Sequence, residues 1–130
     1  LMRAIELVWP GGEHTFDLRI GELQALQDAC DAGPEFILNR IMAGQWRYAD
    51  LFDTIRLGLI GGGMDRTEAN KLTRDAFDRS GLVAFKITAS SILGQALYGV
   101  ADDPVGKDDP VTPTPEGEKT AAGNSAPSTD

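Results

Sequence analysis

Apolar and polar residues alternate at the start of the chain, with Ile5, Leu7 and Trp9 on one side and Ala4, Glu6 and Val8 on the other. A period of two is the signature of a strand with one buried face. Pro10-Gly11-Gly12-Glu13 supplies turn chemistry, after which His14, Phe16 and Leu18 alternate with Thr15, Asp17 and Arg19. The pattern predicts a β-hairpin. Two strands alone are marginal in water, so their apolar face has to rest on other elements. From Ile20 onward the period changes to three and four residues. Ile20, Leu23, Leu26 and Cys30 form the stripe of a first helix that Gly33-Pro34 ends. Pro34 suits the first turn of a second helix, which carries Ile37, Leu38, Ile41 and Met42 up to Gly44. A third helix runs from about Tyr48 through Leu51, Phe52, Ile55 and Leu59 to the glycines at 61–63. Asp65 with Glu68 three residues on reads as a capping box, opening a fourth helix over Ala69, Leu72, Ala76 and Phe77 that Gly81 breaks. The last helix, from about Leu82 to Leu97, carries Phe85, Ala89, Ile92, Leu93 and Ala96 and stops at Gly99. The expected fold class is α+β: an N-terminal hairpin packed on a small bundle of four to five short helices.

Beyond Gly99 the pattern is lost. Five of the seven prolines lie after Tyr98, and no aromatic residue does. Seven acids against Lys107 and Lys119 give residues 100–130 a net charge of −5, leaving −3 of the total −8 for residues 1–99. Too little apolar surface is present to offset the entropy of ordering, so 100–130 is expected to be a disordered, acidic, Pro-rich tail following a folded domain at 1–99. Most of the chain's acidity belongs to that tail.

Charge and composition remove several function classes. With 12 Lys+Arg against 20 Asp+Glu in 130 residues, the chain lacks the basic surface that binding to nucleic acid requires. No apolar run approaches the ~18 residues of a membrane span, and Glu6 interrupts any signal-like start, so a cytoplasmic protein is expected. Cys30 has no second cysteine with which to form a disulfide. With the lone His14 it falls short of a zinc site, and no cofactor is implied.

Chemistry is sparse. Gly58-Leu59-Ile60-Gly61-Gly62-Gly63 is followed by Met64 and Asp65, where a phosphate loop needs Lys and then Ser or Thr. A helix stop is the simpler reading. His14 is the one group suited to proton transfer near neutral pH, and its place beside Phe16 makes it a packing residue of the hairpin. The acid pairs Asp50 with Asp53 and Asp75 with Asp78 have Arg47, Arg56, Arg74 and Arg79 nearby, which predicts solvated, charge-balanced helix faces. An enzyme is not expected. Trp9, Trp46 and Tyr48 are the candidate protein-binding residues, because large aromatics beside turns and short links anchor interfaces as well as cores.

In order along the chain, the strand end at Leu18, Gly21-Glu22-Leu23-Gln24-Ala25-Leu26, Asp50-Leu51 with Ile55, the Gly58–Gly63 string and Ala96-Leu97-Tyr98-Gly99 resemble a known family. It is that of the small tail proteins of gene transfer agents and related prophages, usually described as phage tail assembly chaperones and sometimes labelled tail tube proteins. Gln27 stands where the family commonly has Glu. The resemblance covers about residues 3–99. It implies a non-catalytic chaperone that holds the tape-measure protein soluble during tail morphogenesis, with the tail tube protein as a second candidate partner and self-association left open. The alternative it implies is a structural tube or connector subunit retained in the particle, hence virion-associated.

Overall fold

A computed structural model describes residues 4–99. The chain divides into two units, Leu1–Gly99 and Val100–Asp130, so the expected disordered tail lies outside the described residues. The first unit is α+β, as expected. Strands β1 (Ile5–Trp9) and β2 (Gly12–Phe16) form an antiparallel hairpin with Ile5 opposite Phe16 and Trp9 opposite Gly12. Helices α1 (Ile20–Cys30), α2 (Pro34–Met42), α3 (Tyr48–Gly61) and α4 (Arg66–Arg79) follow. A 3-10 turn (Leu82–Phe85) then leads into α5 (Lys86–Tyr98), where one continuous helix was expected. Phe85 is the joint: fully buried, it closes the turn and fixes the start of α5.

Helix α3 is the centre of the domain, packing against α1, α4, α5 and β2. Its apolar content explains this, since Leu51, Ile55, Leu57 and Leu59 are all buried and cover more than one face. The hairpin's core side, Trp9 and Phe16, closes on Phe85 and on α3. Two stripe positions depart from expectation. Ile20 and Met42 are each 68% exposed, because each lies at a helix end where the stripe has already turned off the core.

The helix starts show how the local sequence sets the boundaries. Glu22 reaches back to accept the backbone N–H of Arg19 at 3.1 Å, and Asp50 does the same for Arg47 at 2.9 Å. Asp65 caps α4 directly, accepting from the N–H groups of Thr67 and Glu68 at 3.1 and 3.3 Å. Each bond satisfies a donor that a helix terminus leaves without an intrahelical partner.

The glycines at the end of α3 have a second role besides stopping the helix. A Cβ on Gly61 would fall on the carbonyl of Asp17, and one on Gly62 on the carbonyl of Thr15. The chain leaving β2 therefore lies directly on the helix backbone, with Asp17 N–H donating to Gly58 O at 3.0 Å. Only glycine permits that approach.

Candidate interaction surface

Several of the ionisable groups singled out in the sequence are tied to neighbouring side chains. Trp9 Nε1 donates to His14 Nδ1 at 2.8 Å, an assignment that leaves the proton of a neutral ring on Nε2. His14 is half-buried in the hairpin and stands edge-on to Phe16, with ring centroids 6.5 Å apart. It also lines an open cavity of about 460 Å³ together with Glu6, Glu13, Thr15, Met64 and Glu68. Among the described residues, no group of three or more His, Cys, Asp or Glu side chains is arranged to hold a metal ion.

The acid pairs divide. Asp50, expected on a solvated face, is 0% exposed. Its carboxylate accepts from Arg40 Nη2 at 2.6 Å, and Arg40, reaching across from α2, also donates to the carbonyl of Cys30 at 3.4 Å. A charge buried in this way persists only when paired and hydrogen-bonded. Asp53 pairs with Arg56 at 2.8 Å, and Asp75 with Lys71 at 3.1 Å on an open face, in keeping with charge-balanced surfaces. Burial first, and then the neighbouring Asp50 charge, push the Cys30 thiol up to about 12, so it stays protonated.

The three candidate binding aromatics do not form one patch. Trp9 is 6% exposed and stands edge-on to Phe16 and Phe85 at 5.7 and 6.2 Å. Its side chain is spent in the core, where the alternation of β1 points it, and this corrects the expectation that it faces a partner. Trp46 is half-buried in the link between α2 and α3. Tyr48 is 53% exposed and stacks on Phe52 at 5.3 Å, edge-on to Phe77 at 5.7 Å. Burial of one side of the ring holds its phenol above the ordinary value, opposed by the nearby Arg74. The Trp46–Tyr48 link thus presents aromatic surface fixed from below, which lowers the entropy lost on binding.

Other exposed apolar side chains were not among the candidates. Val8 on β1, Phe36 on α2, Val83 in the 3-10 turn and Ile87 at the start of α5 are between 60% and 81% exposed. The signal for Val8 lay in the alternation itself, which places a valine on the polar side of the strand. Val83 lies in the 3-10 turn and Ile87 in α5, and the stripe logic assigns no role to apolar residues off the core face. Among the described residues no helix is long and apolar enough to cross a membrane.

A family model described as phage tail tube protein, GTA-gp10 matches residues 3–99. No curated protein and no solved structure matches the chain.

Proposed function

Because the chain belongs to the phage tail tube protein, GTA-gp10 family, we propose that it is a non-catalytic structural component of a phage or gene-transfer-agent tail, retained in the particle and bound to other tail proteins. The match carries this reading because it spans the whole described domain, from before β1 to the end of α5. The geometry agrees with it. Asp50 is tied to Arg40 and His14 to Trp9, while the side chains left to solvent include large apolar ones suited to protein contacts.

A second reading, a chaperone that covers the tape-measure protein until the tube polymerises, is favoured by Phe36, Val83 and Ile87. These are apolar groups exposed on or beside helices, of the kind that meet an amphipathic partner helix. Particle analysis separates the two. A retained component appears in purified particles at a fixed ratio to the other tail proteins. A chaperone is absent from particles, and its co-expression raises the soluble yield of the tape-measure protein. Under either reading Tyr48→Glu and Trp46→Glu should weaken capture of the tail partner while the far-ultraviolet circular dichroism stays native. Tyr48→Glu is the cleaner variant, because that ring is the more exposed of the two. Binding unchanged in both variants would move the interface elsewhere.

A further inference from the structure

The two edges of the hairpin differ in what covers them. Trp9 faces Gly12 across the two-residue turn Pro10-Gly11, so that pair closes the hairpin with hydrogen bonds and the ladder alternates from there. Ile5 and Leu7 then bond inward to Phe16 and His14, and Glu6 and Val8 direct their N–H and C=O groups outward. On β2 the same alternation turns Thr15 and Asp17 outward. Their positions bear it out, with the Thr15 carbonyl against Gly62 and Asp17 N–H on Gly58 O. The β2 edge is therefore occupied by α3. Among the described residues, the outward backbone groups of Glu6 and Val8 make no backbone hydrogen bond beyond the hairpin.

Side chains along the β1 edge fit an added strand. Val8 is 81% exposed, and Ile5 and Leu7 remain only partly buried although they lie on the core side of the hairpin. Pairing with an identical strand about a two-fold axis at Leu7 sets Ile5 opposite Trp9, Glu6 opposite Val8 and Leu7 opposite Leu7. All five residues of β1 are then used, and no Glu faces Glu across the strands, a placement that would be repulsive. The same register joins the two core-side faces and covers Ile5 and Leu7 of each copy. A shift of register by one residue in either direction turns the apolar side of one strand outward.

From these observations we propose that a second copy of this chain docks its β1 antiparallel on this edge, forming a four-stranded sheet across a two-fold axis at Leu7. The contact is isologous, so it yields a closed pair. It is testable on the pure protein and stands or falls independently of the tail-component reading.

Sedimentation equilibrium of the full chain from micromolar to near-millimolar concentration should show a monomer–dimer equilibrium. Val8→Glu changes an exposed side chain and sets like charges opposite at two symmetric positions, so it should raise the dimer dissociation constant about ten-fold or more. Adding Glu6→Lys to Val8→Glu makes both cross-strand pairs attractive and should restore dimerisation. Leu7 faces its own copy at a non-hydrogen-bonded position, where Cα atoms lie ~4.5 Å apart, within disulfide range. Oxidised Leu7→Cys chains should therefore migrate as a covalent dimer. A protein that stays monomeric throughout, a dimer indifferent to Val8→Glu, or Leu7→Cys chains that do not cross-link while the native chain dimerises would each overturn the proposal.

Discussion

At the level of single residues, Asp50 shows what spacing reveals and what it does not. Its separation of three from Asp53 reads as a helix surface, because the partner that makes burial tolerable, Arg40, comes from a different helix. No local pattern contains that information. Removing the carboxylate leaves Arg40 charged and half-satisfied in a site where its side chain is 10% exposed. Asp50→Ala should therefore cost ~3–5 kcal/mol in urea unfolding, as breaking buried pairs does. Asp75→Asn, whose partner Lys71 is 77% exposed, should change stability by no more than ~0.5 kcal/mol. Cys30 was legible as a small core residue from its place on the stripe, and its elevated thiol pKa adds a chemical expectation. At about pH 8 iodoacetamide should leave the folded chain unmodified and label it on unfolding. Labelling of the folded chain would mean that α1 opens locally.

Among the elements, helices were legible because their apolar periods are local, whereas the meeting of β2 with α3 was not. The glycines that end α3 signal a stop in any sequence. Their second function, clearance for the carbonyls of Thr15 and Asp17, depends on a segment far earlier in the chain. Gly61→Ala should thus destabilise by ~1–3 kcal/mol or more through overpacking against backbone, which cannot swing aside as a flexible side chain can. Gly94, inside α5, gives the opposite expectation. A Cβ there meets nothing within 4 Å, so Gly94→Ala should stabilise by ~0.5–1 kcal/mol through helix propensity alone. Thermal unfolding of the two variants in parallel tests whether packing or propensity rules at each site. The start of α1 adds a pH dependence. The hydrogen bond from Arg19 holds the Glu22 carboxyl below its ordinary value of 4.5. Its contribution is complete above that value and is lost as pH falls through the lower, folded-state value. Glu22→Gln should flatten that part of the acid limb.

For the molecule as a whole, the question is where the folded unit ends. Hairpin and bundle are joined by one aromatic assembly: Phe85 stacks on Phe77 at 3.9 Å, and Trp9 meets Phe85 from the hairpin side. Phe85→Ala should accordingly cost ~3–5 kcal/mol, a large part of what a domain this size has to spare. The apolar side chains of that core all lie between Ile5 and Leu97, and the family match stops at Gly99. The sequence of residues 100–130 has no aromatic and no apolar face at helical or strand spacing, and it carries a net charge of −5. A segment of that composition contributes little to a folding transition, though its charge adds to solubility. A chain ending at Gly99 should therefore melt within a few degrees of the full chain and keep the same denaturant slope, because the slope follows the surface exposed on unfolding. A clear drop in both would mean that residues beyond Gly99 bury surface against the bundle. The boundary drawn from composition would then move toward the C-terminus.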